Sequence, residues 1–385
     1  MTPLATAALI ALATLSAHAA DPVRIGYSIA NTGLFSKAAP SQVSAYELWR
    51  DQVNAAGGLN VAGVKRPIEL IAYDDESNPA KAAQIYEKLI TDDKVDLLLA
   101  PWGTPTHLAV AGVVEKYQFP LIGNTAASVA IRDLKPGYIW FVTAQIPDRI
   151  GPQLAALVKT SGAKTAAVIA NVLPFAQENH QFLLPALKDA GIEVKVDEQY
   201  PPDIKDMTPI LAKIKAANVD AVIALSYPDD SFLYMGQAQE LGIKAPFQFL
   251  LVGPSIEAFA KAFGKNADGI VTMGHWSPYQ AAWPKAKPFF DAYRTKYQAA
   301  PDYLDTGLAY MSLEVLEQAV AKAGLDKEKL RAAIAGGTFE TINGEVRFDG
   351  VQNAVTPTGF LQLQNGEMHL IWPKSIATSS FKPRP

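Results

Sequence analysis

Cysteine is absent from this 385-residue chain. Its absence excludes disulfides, thiolate metal sites, cysteine nucleophiles and a lipid-modified N-terminal cysteine. Histidine is scarce, at five residues. None of His107, His180, His275 and His369 has a partner at helical spacing, and no HExxH occurs. They read as core or surface residues rather than metal ligands. There is no GxSxG elbow, and no GxGxxG follows a strand. In Gly58–Lys65 (GLNVAGVK), Val64 stands where a phosphate loop needs lysine directly after its second glycine. Charged residues are only 19% of the chain, the formal net charge is −4, and no basic stripe is visible. Nucleic acid is therefore not an expected partner. These absences leave a chain equipped for binding rather than turnover, with no expected cofactor or metal.

Hydrophobic residues make up 49% of the sequence, enough for a sizeable core, and the length suits about two domains. The chain opens MTPLATAALIALATLSAHAA. Leu4 to Leu15 is apolar, far short of the ~20 residues of a spanning helix, and Ala17-His18-Ala19 is a small-x-small cleavage pattern. Residues 1–19 read as an export leader, although the leader start carries no Lys or Arg. No later run is long enough to span a bilayer. Export without cysteine or anchor points to a bacterial periplasm.

Apolar β-type runs alternate with amphipathic stretches. Strands are expected at Val23–Ile29, Ile68–Tyr73, Val95–Ala100, Pro120–Ile122, Thr165–Ala170, Ala221–Leu225, Phe247–Val252 and Gly269–Thr272. Most are continuous apolar runs, as in parallel strands buried on both faces. Helices are expected at Ser41–Ala56, Pro79–Thr91, Pro105–Tyr117, Asp148–Thr160 and Pro209–Ala217. Asn78-Pro79, Thr104-Pro105 and Thr208-Pro209 each read as a polar cap before a proline at the first helical position. Repeated βα units predict an α/β fold with parallel sheets. Asn343-Gly344 and Asn365-Gly366 are hairpin signals, so the chain should close with antiparallel additions. The alternation appears before and again after about residue 145, which predicts two similar lobes. Pro147-Asp148 and His275–Pro278 fit segments passing between them.

In open α/β sheets, ligands sit beyond the carboxyl ends of the strands. The strand-end loops here carry Asn31–Ser36, Pro101–Thr104, Gly123–Ser128, Val172–Phe175, Ser226–Asp229 and Gly253–Ser255. Hydroxyls and free amides can hold a carboxylate while aromatic faces cover an apolar body. Thr104-Pro105 opens a helix whose N-terminus offers unpaired N–H groups, and Gly103 lets an anion approach the backbone. The acidic run Asp74-Asp75-Glu76 reads as a solvated loop, since the sequence names no partner for it.

Three stretches carry a resemblance: VRIGYSIANTGLFS, the long segment from NAAGG (Asn54–Gly58) to APWGT, and FPLIGNTAAS. With the Asp74-Asp75 loop before Pro79, they resemble the leucine/isoleucine/valine-type periplasmic solute-binding proteins, from about Val23 to Trp372. The resemblance implies a type I periplasmic-binding fold. Two Rossmann-like lobes with parallel sheets would be joined by a three-segment hinge, residues 20–144 with 276–352 and residues 145–275 with 353–385. It implies a monomer that delivers its ligand to an inner-membrane ABC permease.

The family's carboxylate-holding positions correspond to Gly103-Thr104 and Thr125-Ala126-Ala127-Ser128, and its second-lobe aromatics to Phe175 and Tyr227. Phe175 stands where tyrosine is common. The family places an acid for the ligand ammonium soon after a Gly-Pro turn; here that turn reads Gly253-Pro254-Ser255. Glu257, Asp229 and Asp230 lie near but off the motif. An ammonium enclosed without a counter-charge is costly. Phe35, Trp102, Phe175 and Tyr227 would then form an aromatic-rich cleft, with Trp276 and Tyr279 near a crossover. A carboxylate with an apolar or aromatic body and a branched-chain amino acid both remain open. The alternative function is a sensor of amides or amino acids, expected to carry a membrane span and a signalling part.

Overall fold

The computed structural model describes residues 21–133, 135–144 and 146–384. The segment read as an export leader lies outside them. The fold is α/β, and apart from the separate hairpin Leu59–Val61 with Val64–Arg66 its strands fall into two groups. In the first, Val23–Ile29 lies between Ile68–Asp74 and Leu97–Leu98, parallel to both. A companion sheet of the same group runs Thr338–Thr341, Gly344–Asp349, Gln352–Asn353, Ile139–Phe141, Leu121–Gly123. The second group is one seven-stranded sheet in the order Glu367–Trp372, Phe360–Gln364, Ile270–Met273, Phe247–Leu250, Ala221–Leu225, Thr165–Asn171, Glu193–Tyr200. Its five β/α strands are parallel, and its last two in sequence join antiparallel. The chain changes group after Ile139–Phe141, again after Ile270–Met273, and a last time after Gln352–Asn353.

The central strands are apolar throughout because both faces are covered. Ala221–Leu225 is buried at every position. The expected strand Val95–Ala100 pairs only at Leu97–Leu98, against Ile25 and Gly26. Glu193–Tyr200 was not foreseen as a strand. It is an edge whose residues alternate between exposed and covered, so it carries no apolar run. Asn365-Gly366 forms the expected two-residue turn, with positive φ at both positions and Gln364 facing Glu367. The earlier hairpin turns one residue sooner than its Asn-Gly signal, since Gly344 already pairs with Thr341.

Two helix starts also differ from expectation. Asn78 caps as read, its side chain accepting from the N–H groups of Ala80 and Lys81. Thr104 and Thr208 instead lie inside their helices, with Gly103 and Met207 at the cap positions. The Asp74-Asp75-Glu76 run is not a plain solvated loop. Asp75 is buried and accepts from Ser28 Oγ and Ser77 N–H, and burial raises its pKa. Asp74 accepts from the N–H groups of Asn31, Thr32 and Glu76 and from the Thr32 hydroxyl. This stitching fixes the loop that carries Phe35. Gly33 within it has φ +85°, and a Cβ there would lie 2.5 Å from the Glu76 carbonyl oxygen.

Candidate functional site

The site begins where the chain leaves Leu97–Leu98. Helix Ala39–Ala55 pins that exit. Gln42 Nε2 donates to the carbonyls of Ala100 (2.8 Å) and Pro101 (3.1 Å), and the Tyr46 hydroxyl donates to Ala100 (3.0 Å). Gly103 follows at φ +84°, a conformation side-chain-bearing residues rarely adopt. Its N–H donates to Thr125 Oγ1 at 3.0 Å, and its carbonyl accepts from His107 Nδ1 at 2.8 Å. Buried His107 also accepts from Asn124 N–H through Nε2 (3.4 Å). Burial pushes the imidazole pKa down to about 4, only partly opposed by the Gly103 carbonyl, so it is neutral at pH 7. One neutral ring thus ties the first turn of helix Thr104–Lys116 to the loop after Leu121–Gly123.

Those two loops form a polar wall. Thr104 Oγ1 accepts from Ala127 N–H at 3.2 Å. Thr125 Oγ1 donates to Gln42 Oε1 (3.0 Å), and Asn124 Oδ1 accepts from Thr125 N–H (2.6 Å). Asn124 Nδ2 in turn reaches Tyr46 Oη (2.8 Å) and Ser312 Oγ (3.2 Å). The hydroxyls are therefore held by a hydrogen-bonded network beside a helix N-terminus with its positive potential.

The second group supplies an apolar wall. Tyr227 precedes helix Pro228–Glu240, and Phe175 lies at the start of helix Pro174–Asp189. Buried Asp230 fixes the loops there. It accepts from Tyr227 N–H (2.8 Å), Tyr200 Oη (2.6 Å) and Asn171 Nδ2 (3.1 Å). Asp229 pairs instead with Lys37 at 2.6 Å, and Glu257 with Lys261 at 3.0 Å. None of these three acids takes the place left by Ser255.

Between the walls lies a narrow cavity. Of the residues singled out in the sequence, Trp102, Gly103, Thr104, Thr125, Ala126, Ala127, Phe175 and Tyr227 line it. All but half-buried Thr125 are buried. Phe35 stands just outside. Its ring packs 4.9 Å from Trp102 and 6.1 Å from Tyr227, centroid to centroid, which closes one side. Ser128 lies off the wall and donates to Glu178 Oε1 across the groups (2.6 Å), while Val129 N–H donates to Oε2 (2.8 Å). Ser255 and Trp276 are buried away from the cavity. Ser255 receives Tyr303 N–H on its carbonyl, and Trp276 stacks on Tyr303 at 5.4 Å.

Asn124 joins the lining from the expected Gly123–Ser128 loop, but the sequence reading missed Thr143, Val252 and Met273, and above all Leu304, Asp305 and Leu308. The last three come from the start of helix Asp305–Ala323, about two hundred positions after Trp102. An acid at the first position of a helix whose next turns are mostly apolar was the available signal. Trp102 Nε1 donates to Asp305 Oδ2 at 2.9 Å. Burial and the neighbouring Asp302 carboxyl push Asp305 well above the usual carboxylate range, and the indole N–H opposes them.

A sequence profile described as periplasmic binding protein matches residues 22–367. The chain belongs to this family. Among relatives of this periplasmic binding protein is the leucine-, isoleucine-, valine-, threonine- and alanine-binding protein of Pseudomonas aeruginosa. It is 26% identical over 338 residues, spanning 86% of this chain and 87% of that protein. Two solved structures share the fold. The branched-chain amino acid transporter substrate-binding protein LivJ of Streptococcus pneumoniae, in complex with isoleucine, has a TM-score of 0.82 and 24% identity. The match covers 92% of this chain and all (100%) of that one. A solute-binding protein of an R. palustris ABC transporter, in complex with benzoate, has a TM-score of 0.79 and 21% identity, with coverages of 94% and 97%. Among the described residues, no helix of this periplasmic binding protein is long and apolar enough to cross a membrane.

Proposed function

We propose that this protein is the solute-capturing component of an ABC importer of the branched-chain amino acid type. Its ligand is a small carboxylate with an apolar body, bound in the cleft and passed to an inner-membrane permease. The observation that carries this reading is the cavity with one polar wall of hydroxyls at a helix N-terminus and one aromatic and aliphatic wall. The isoleucine and benzoate bound by the two structural relatives both have a carboxylate end and an apolar end.

In this reading, residues 20–144 with 276–352 and residues 145–275 with 353–385 are two lobes that close on the ligand. The two walls belong to different lobes, so a ligand touching both favours the closed form and shifts the open–closed equilibrium. Thr104, Thr125, Ala126 and Ala127 hold the carboxylate, and Trp102, Phe175 and Tyr227 cover the body. The protein acts as a monomer, without cofactor and without chemistry on its ligand.

A thermal-shift panel of branched-chain and aromatic amino acids, aromatic acids, short aliphatic acids, amides and urea tests the reading. Carboxylates should raise the melting temperature and amides and urea should not. The best ligand, recovered after incubation and examined by mass spectrometry, should be unchanged. Stabilisation by amides alone, or steady conversion of the ligand, would sink it.

A further inference from the structure

The cavity wall holds an acid and no base. Asp305 lines it, and among the described residues no lysine, arginine or histidine does. Oδ2 of Asp305 takes the neutral indole N–H of Trp102. Asp302, also buried, stands three residues earlier in the preceding turn, with Oδ1 accepting the Leu304 N–H at 2.9 Å. Two carboxyl groups are thus enclosed together, and the donors that reach them are neutral. A buried carboxylate without a counter-charge is costly, and a cation supplied from outside removes much of that cost.

The position favours the ionised form once a cation arrives. Asp305 is the first residue of helix Asp305–Ala323, where the helix end presents positive potential to a carboxylate. Its place on the wall is fixed from several sides. Trp102 holds the carboxyl. Thr306 Oγ1 donates to Ser41 O at 2.9 Å. Gly307 abuts Trp276 so closely that a Cβ there would lie 2.2 Å from the indole nitrogen. The start of this helix therefore cannot swing away from the cavity without breaking contacts on three sides.

Resting on the small-carboxylate reading above, we propose that Asp305 is the specificity-determining acid of the cleft: it receives the ligand's ammonium group, and Trp102 orients it to do so. The ligand class is then a zwitterionic amino acid with an apolar side chain rather than a bare carboxylate. This assignment moves the ammonium partner to a different segment of the chain from the Gly253-Pro254-Ser255 turn. It also explains why that turn can carry serine, since Ser255 lies away from the cavity.

Matched ligand pairs test the assignment: leucine against 4-methylpentanoate, and phenylalanine against 3-phenylpropanoate. The members of each pair differ only by the amino group. Titration calorimetry on the wild-type chain should favour the amino acid of at least one pair by ~30-fold or more, the range expected when a buried charge loses its partner. In Asp305→Asn, where the amide oxygen can still accept from Trp102, that preference ratio should collapse towards one. Equal affinity for both members in the wild type, or a ratio unchanged in Asp305→Asn, overturns the assignment. Tight binding of the deaminated acids alone overturns it and leaves the small-carboxylate reading standing. No binding of any of the four overturns both. The wild-type comparison decides the matter even if the variant fails to fold.

Discussion

Trp102 is the residue on which the two halves of the molecule converge. Its ring lies 4.9 Å from Phe35 and 6.5 Å from Tyr227, and its N–H reaches Asp305. A plain strand-to-helix turn needs none of this. Replacing Trp102 by alanine should weaken binding of large apolar ligands by ~30-fold, as for a buried aromatic anchor, and affect small ones less. Loss of thermal stability with affinity kept across the ligand series would make it scaffold only. Thr104→Ala removes one hydroxyl from the polar wall and the acceptor of the Ala127 N–H. Affinity should fall about fivefold with the fold intact, the net worth of one hydrogen bond. Equal affinity in variant and wild type would refute the role.

His107 adds a pH dependence at the same scale. Its folded pKa of about 4 lies below the ordinary 6.5, so the unfolded chain takes up a proton that the folded chain refuses. Stability is therefore lost as pH falls from 6.5 towards 4, by roughly 3 kcal/mol at the acid end. His107→Gln should flatten the melting temperature against pH in that window. Parallel curves for variant and wild type would remove His107 from the account.

Among the elements, the contacts that bridge the two groups differ in kind. Lys37–Asp229 is an exposed ion pair, with side chains 64% and 45% accessible, and contributes little. Glu178, on helix Pro174–Asp189, accepts from both the Ser128 hydroxyl and the Val129 N–H across the cleft. Charge-assisted bonds of this sort hold more firmly. Glu178→Gln should speed ligand release about tenfold, whereas Lys37→Ala should leave it within about twofold. Stopped-flow dissociation measures both, and equal rates in all three proteins would dismiss the latch. The elements also show where sequence patterns stop. The strand Val23–Ile29 and helix Pro79–Thr91 match their expected bounds, because a continuous apolar run and an Asn-Pro cap are local signals. Thr104 carries the same kind of signal. Its hydroxyl turns to Ala127 because a neighbouring loop competes for it, and no local pattern contains that loop.

For the whole molecule, most residues lining the cavity are buried, and both walls must part for a ligand to enter. In solution, the ligand-free chain should sample an open form, and saturating ligand should reduce the radius of gyration seen by small-angle X-ray scattering. A radius identical with and without ligand would remove hinge closure from the mechanism. At a hundredfold excess over Kd, ligand should add roughly 2.7 kcal/mol to stability.

The sequence by itself determined the α/β class, the repeated βα units and most of the cavity's lining from the strand-end loops. The reason is that burial on both faces demands unbroken apolar strands, and strand ends are where parallel sheets leave room for a ligand. Only the tertiary structure decided which groups meet there. It moved Ser128 to Glu178, took Ser255 and Trp276 away from the cavity, and drew Asp74 and Asp75 into the support of the Phe35 loop. It also brought Asp305 against Trp102, 203 positions away in the chain. Such a contact depends on how the chain returns to its first sheet group after building the second, and no local spacing records that path.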